Sequence, residues 1–138
     1  MRVPFNISQG VELVTYNSTG SNAYVKISVF YHPYYNGNYS DYTPKGMFWI
    51  KLLSQPIYKL TPCKGYREYH LQHPLPPRIP KTWLLTRRIS TGRGVRIKCG
   101  STLIAEEERC WDDVKYIKVE GDGPMLWRIP SWIDIIGK

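Results

Sequence analysis

The segment from 31 to 42 has the composition of a ligand-binding loop. It holds five tyrosines, with glycine, asparagine, serine and aspartate between them. In binding loops tyrosine supplies rigid contact area, and serine, glycine and asparagine supply adaptable hydrogen bonds. Exposed aromatic faces also stack on sugar rings. We therefore predict ligand contacts from Tyr34, Tyr35, Tyr39 and Tyr42. The alternative is a solvated hairpin loop whose tyrosines pack on their own scaffold.

A second candidate site is a group of basic residues near one predicted hairpin. Its members are Arg87, Arg88, Arg93, Arg96 and Lys98. Such a group can hold a sulfate or phosphate. The whole chain carries a formal charge of +8, from 19 basic and 11 acidic residues, which attracts a glycan or another polyanionic surface. The alternative is a charged solvent face that blocks edge-to-edge strand pairing.

Catalytic and metal chemistry have little support in the sequence. The histidines are His32, His70 and His73, and no H-E-x-x-H, G-x-S-x-G or P-loop motif occurs. The acidic residues at 106–108 and 112–113 lack the spacing of a calcium loop, so we interpret them as a solvated turn. We predict no metal, no cofactor and no enzymatic activity. A small enzyme with a spatially assembled site is one alternative. RNP-type and zinc-knuckle spacings are absent, so we predict no specific nucleic-acid partner.

Three Asn-x-Ser/Thr sequons favour secretion. They begin at Asn6, Asn17 and Asn38 and include three of the five asparagines in the chain. No apolar run approaches the roughly 20 residues of a membrane span. The first residues form no signal-peptide core, so a cytosolic protein and a mature domain without its leader both fit. We expect a secreted or surface-displayed glycoprotein.

The three cysteines are Cys63, Cys99 and Cys110, and no C-x-x-C spacing indicates a zinc ribbon. Cys99 and Cys110 could close a hairpin-sized loop as a disulfide, which would stabilise the fold by about 2–3 kcal/mol. Cys63 would then be buried or would pair with another chain. Three reduced, buried cysteines in a cytosolic protein are the alternative.

The elements that position these residues are predicted strands, because apolar residues alternate with polar ones. Val25, Ile27 and Val29 oppose Lys26 and Ser28, and Val95, Ile97 and Cys99 share one face of another strand. The 11 glycines and 11 prolines argue against a helical bundle. We expect strands over 10–16, 22–31, 46–53, 57–60, 66–73, 82–88, 93–99, 101–105 and 113–119, with a final strand in the first half of 125–136.

This series of short strands predicts a single antiparallel β-sandwich domain over residues 1–138, with a small β-barrel as the alternative. The proline-rich stretch 73–80 is expected to cross between the sheets in an extended conformation. Residues 106–109 are the one segment with a plausible helical turn.

Short motifs run through much of the chain: W-I-K-L at 49–52, I-Y at 57–58, Cys63, L-P at 75–76, W-L-L-T-R at 83–87, V-R-I-K-C at 95–99, Cys110 and V-x-x-I at 114–117. Together they resemble a poorly characterised extracellular domain of surface and secreted proteins from marine invertebrates such as cnidarians and molluscs. The resemblance implies an extracellular β-rich module in which Cys99 and Cys110 are paired. It implies no known activity.

We therefore predict an extracellular, lectin-like module that binds carbohydrate, with anionic glycans among its expected ligands. A structural protein that assembles through its apolar C-terminal tail and Cys63 is the other alternative, and it would form homo-oligomers. The tail residues concerned are Trp127, Trp132, Ile133, Ile135 and Ile136.

Overall fold

The computed structural model describes residues 2–7, 9–17, 22–33, 44–54, 56–60, 67–71, 74–76, 79–88, 94–107, 111, 114–122 and 125–128. Within these residues the chain forms eleven strands: β1 (Val3–Pro4), β2 (Val11–Thr15), β3 (Tyr24–Phe30), β4 (Gly46–Lys51), β5 (Ile57–Leu60), β6 (Arg67–His70), β7 (Lys81–Thr86), β8 (Val95–Cys99), β9 (Thr102–Glu107), β10 (Tyr116–Gly121) and β11 (Met125–Arg128). No helix in this described part is long and apolar enough to cross a bilayer.

The strands form two antiparallel sheets. One has six strands in the order β1-β10-β3-β4-β5-β6, and the other has five in the order β11-β2-β7-β8-β9. This confirms the predicted β-sandwich, and the barrel alternative is wrong. The chain changes sheets between β6 and β7, so the proline-rich stretch lies in a crossover, as expected for a segment that cannot complete a strand ladder.

The core lies between the sheets and follows from the period-two pattern. The inward residues of the central strands are buried: Val11, Leu13, Val25, Ile27, Val29, Phe48, Ile50, Trp83, Leu85, Val95 and Ile97. Trp83 is fully buried, and its Nε1 donates a hydrogen bond to Thr15 Oγ1 at 3.0 Å. That bond satisfies the polar end of a large apolar side chain, which would otherwise destabilise the core.

The expected helical turn at 106–109 is wrong for its first half. Glu106 and Glu107 belong to β9, where they lie opposite Arg96 and Val95. The oppositely charged pair across the strands stabilises the extended conformation, and this tertiary contact outweighs the local helix preference of glutamate. Residues 108 and 109 lie outside the described residues.

The expected disulfide between Cys99 and Cys110 is contradicted, because Cys99 is a free cysteine on the inward side of β8. A tight turn follows it, and Cys99 lies opposite Thr102. The chain then runs away along β9 until Glu107 lies opposite Val95. Cys63 and Cys110 lie outside the described residues.

Candidate functional site on the six-stranded sheet

A row of charged and aromatic side chains crosses the outer face of the six-stranded sheet. Glu120 on β10 lies opposite Lys26 on β3, Lys26 lies opposite Trp49 on β4, and Trp49 lies opposite Lys59 on β5. Directly opposed residues of antiparallel strands share one face, so the register brings these four side chains together. Lys26 and Trp49 alternate along their strands with buried residues, which fixes their outward direction.

This row forms part of an open cleft of about 400 Å³. The described residues that line it are Tyr24, Lys26, Met47, Trp49, Lys59 and Glu120. Small-molecule sites typically have volumes of about 300–1,000 Å³ and combine apolar contact area with a few polar groups. The cleft meets both conditions, because Trp49 and Met47 supply apolar surface and the charged groups surround them.

The cleft contains a cation–π contact at Trp49 and two solvent-exposed ion pairs at Glu120. Lys59 Nζ lies 5.0 Å from the centre of the Trp49 ring, a cation–π distance. Glu120 receives Lys118 Nζ at 3.2 Å and Lys26 Nζ at 3.8 Å. These side chains are 36–40% exposed, and ion pairs this exposed contribute little to stability because water screens them. A ligand can therefore take over their hydrogen bonds at a small cost.

The cleft thus presents a stacking surface beside hydrogen-bond donors and an acceptor. The Trp49 indole offers a flat ring, the ammonium groups of Lys26 and Lys59 donate, and the Glu120 carboxylate accepts. Such a set suits a ligand with one apolar face and many hydroxyl groups. Among the described residues, no group of three or more histidine, cysteine, aspartate or glutamate side chains is placed to hold a metal ion.

The predicted basic site is only partly assembled on the other sheet. Arg88 Nε lies 3.1 Å from Glu106 Oε2, and Arg96 Nε lies 2.8 Å from Glu106 Oε1. Two members of the predicted anion-binding group therefore converge, but on a carboxylate of the chain itself. Arg87 follows β7 and Lys98 lies on β8, and Arg93 lies outside the described residues. Anion binding here stays a prediction.

The tyrosine-rich loop cannot be placed, because Tyr34, Tyr35, Tyr39 and Tyr42 lie outside the described residues. Tyr31, at the start of this segment, is 39% exposed, and Lys45 Nζ lies 5.4 Å from its ring centre. The ligand contacts expected from the four loop tyrosines stay a prediction.

The two described sequons differ in accessibility. Asn6 is exposed. Asn17 is 6% exposed, and its Nδ2, the atom that carries an N-linked glycan, donates to the carbonyl oxygen of Tyr24 at 3.1 Å. This burial weighs against a glycan on Asn17 in the folded chain. Asn38 lies outside the described residues, and glycosylation stays a prediction.

Trp49 alternates with the apolar residues Phe48 and Ile50 in the predicted strand 46–53, but it was not among the predicted site residues. The missing information was the pairing register, which sets Lys26, Lys59 and Glu120 beside the indole although they come from three other strands. An outward tryptophan in the middle of an alternating strand was the signal available, because tryptophan is enriched at binding surfaces, where its ring supplies a large contact area.

No family model and no curated protein matches the chain, but solved structures do. Sheep galectin-11, in a structure with glycerol, matches with a TM-score of 0.59 at 11% identity, over 93% of this chain and 95% of its own. Galectin LEC-6 of Caenorhabditis elegans matches with a TM-score of 0.52 at 18% identity, over 88% of this chain and 82% of its own.

The chain has a galectin-like fold. The matches extend over nearly the whole of both proteins, so they concern the complete sandwich rather than a shared hairpin. At identities below 20% the likeness shows the fold alone. The resemblance to a marine-invertebrate domain stays a prediction.

Proposed function

We propose that this protein binds carbohydrate on the outer face of the six-stranded sheet, in the cleft around Trp49. Two findings support the proposal. The structural neighbours are galectins, which are carbohydrate-binding lectins. Independently of them, the cleft combines an indole with hydrogen-bonding groups on one rigid sheet face.

The observation that carries the proposal is the outward position of Trp49. Its strand neighbours Phe48 and Ile50 are fully buried, whereas Trp49 is half-buried and lines the cleft. A sugar ring presents C–H groups on one face and hydroxyl groups at its edge. The indole can pack against that apolar face while Lys26, Lys59 and Glu120 reach the hydroxyl groups.

The charge around the cleft favours acidic glycans within this class. Lys26 and Lys59 line the cleft beside the indole, and Lys118 contacts the Glu120 carboxylate. Glu68 on β6 lies opposite Lys59 in the strand register, so the three lysines outnumber the two glutamates around this face. A carboxylated or sulfated sugar would replace part of the Glu120 contacts with charge-assisted hydrogen bonds of its own. The net charge of +8 on the chain adds a long-range attraction of the same sign.

A glycan array that displays neutral and acidic glycans tests the proposal. The wild-type chain should bind a defined subset, and Trp49→Ala should reduce that binding at least tenfold. Leu103→Ala is the matched control, because Leu103 is 47% exposed on β9 of the other sheet. Binding that survives Trp49→Ala, or no binding above background, would reject the proposed site. A parallel Tyr34→Ala/Tyr35→Ala variant measures the contribution of the loop.

We propose further that the protein acts outside the cell as a binding module without catalytic activity. The sequons at Asn6 and Asn38 and the secreted or extracellular character of many galectins support this location. Immunodetection of the tagged protein in culture medium and in cell lysate tests it. A protein retained wholly in the lysate would contradict an extracellular role and leave the sheet-face site unaffected.

A further inference from the structure

A second cavity lies at the end of the sandwich where β3 ends and β10 begins. Its volume is about 630 Å³, which is within the range of small-molecule sites. It is separate from the cleft around Trp49. Lys26 lines that cleft and Tyr31 lines this cavity, and the five residue steps from one to the other span roughly 17 Å of extended chain.

The inner wall of this cavity is apolar and fixed by the backbone. Phe5, Ile7 and Val114 line it and are 8%, 1% and 4% exposed. The Phe5 amide donates to the carbonyl oxygen of Lys115 at 2.9 Å, and the Lys115 amide donates to that of Phe30 at 3.0 Å. These bonds tie three chain segments together, so the apolar wall exists before any ligand arrives.

The rim of the cavity is polar and basic. Asn6, His32 and Lys115 line it and are exposed. Arg2 lies beside the rim: its Nη1 donates to the His32 carbonyl oxygen at 3.2 Å, and its guanidinium lies 3.5 Å from the centre of the Phe30 ring. The described residues that line the cavity include no aspartate or glutamate. An apolar wall beneath basic groups suits a ligand with an apolar body and an anionic group.

We propose that this cavity binds a small amphipathic anion. The apolar or aromatic body of the ligand packs on Phe5, Ile7 and Val114, and its carboxylate, sulfate or sulfonate group lies near the Lys115 ammonium. Burial of the apolar body supplies most of the affinity, and the lysine selects anions over neutral molecules of the same shape. The site is independent of the proposed carbohydrate cleft.

A matched pair of fluorescent probes tests this site. 8-Anilinonaphthalene-1-sulfonate carries a sulfonate, and N-phenyl-1-naphthylamine has the same ring body without it. Lys115→Glu should weaken sulfonate binding at least fivefold and change binding of the neutral dye less than twofold. Lys51→Glu is the control, since Lys51 ends β4 and does not line the cavity, and it should leave both probes unchanged. Amide shifts on adding the sulfonate should appear at Ile7, Val114 and Lys115.

If Lys115→Glu and Lys51→Glu weaken binding of the sulfonate dye equally, the dye responds to the net charge of the chain, and the proposed site is overturned. Sulfonate binding unaffected by Lys115→Glu would overturn it as well, as would amide shifts confined to other parts of the chain. If Lys115→Glu lowers the melting temperature, His32→Glu introduces the same charge change at another exposed rim position. His32→Glu should also weaken binding of the sulfonate dye more than binding of the neutral dye.

Discussion

The outer faces of the two sheets each carry a cluster of ion pairs, and the two clusters differ in distance and in exposure to solvent. On the five-stranded sheet, Glu106 holds Arg88 and Arg96 at 3.1 and 2.8 Å, and these side chains are only 19–26% exposed. On the six-stranded sheet, Glu120 holds Lys26 and Lys118 at 3.8 and 3.2 Å, with exposures of 36–40%. The first cluster therefore has shorter ion pairs and is half-buried, whereas the second has longer ion pairs and is more exposed to solvent.

The difference indicates which face is structural and which is available to a ligand. Guanidinium groups suit short, planar contacts to a carboxylate, whereas lysines form point contacts on flexible stems. The arginine cluster therefore connects β8 and β9 to the segment that follows β7. The lysines lie on the outward face that carries the Trp49 indole. Their ammonium groups can exchange hydrogen bonds with Glu120 or water for hydrogen bonds with a ligand. Four sets of substitutions probe this contrast.

Removing the central carboxylate from each cluster should separate the two faces most clearly. Glu106→Ala leaves two half-buried guanidinium groups close together without their acid, and we expect it to lower the free energy of unfolding by about 2–3 kcal/mol. Glu120→Ala, the matched change on the six-stranded sheet, should cost less than about 0.5 kcal/mol. Urea unfolding of both variants measures the difference. Equal losses would mean that the clusters do not differ in role.

The buried Cys99 thiol on the inner side of the five-stranded sheet should make the free energy of unfolding depend on pH in the alkaline range. Burial raises the pKa of the Cys99 thiol to about 11, and the Lys81 charge offsets part of that rise. In the unfolded chain the thiol ionises near pH 9 while the folded chain keeps its proton, so rising pH favours unfolding. The stabilisation is complete below pH 9 and is lost as the pH rises to 11, by about 2 kcal/mol.

Comparison of the wild type with Cys99→Ala isolates this contribution. Burial also raises the pKa of Tyr58 on the six-stranded sheet, so some alkaline destabilisation should persist in the variant. Urea unfolding at pH 8 and pH 10.5, with reductant present, should show a flatter pH dependence for Cys99→Ala. Identical slopes for the two proteins would contradict the burial of a protonated thiol.

Truncation of the indole should affect binding far more than stability. Trp49→Ala removes the stacking surface, and we expect glycan affinity to fall at least tenfold, about 1.4 kcal/mol. Its unfolding free energy should change by less than about 1 kcal/mol, because the side chain is only half-buried. Calorimetric titration with an array-selected glycan, together with urea unfolding, measures both quantities. A large loss of stability would indicate a packing role for Trp49.

Removing one ammonium group should have the smallest effect. Lys59→Gln keeps a hydrogen-bond donor but loses the charge above Trp49, and we expect affinity for an acidic glycan to fall about threefold, roughly 0.7 kcal/mol. Affinity for a neutral glycan should change less. Titration of the variant with one acidic and one neutral array-selected glycan gives the comparison. An equal change for both would remove the argument for acidic ligands.

Most of the scaffold could be predicted from the sequence, because period-two alternation is a local property. It was sufficient to assign β3, β4, β5 and β8 to strands and to place Val25, Ile50 and Ile97 in the core. The two-residue β1 was missed because Val3–Pro4 is too short to show alternation. The expected Cys99 disulfide is contradicted by the free thiol of Cys99, which lies buried on the inward face of β8.

The candidate site could not be predicted in the same way. Its members come from three consecutive strands and from β10, which is distant along the chain, and the order β10-β3-β4-β5 with its register brings them together. Conversely, the basic cluster was visible in the sequence, but the sequence does not show that Glu106 engages Arg88 and Arg96. Composition identified groups that could bind an anion, and the register determined which of them were already occupied.

Mapping of backbone amide shifts by NMR during titration with the array-selected glycan tests the central claim most directly. We predict that the shifts concentrate at Lys26, Trp49, Lys59 and Glu120 on the six-stranded sheet, while Arg96 and Lys98 on the other sheet stay unchanged. Shifts centred on Arg96 and Lys98, with none around Trp49, would contradict the assignment of the binding face.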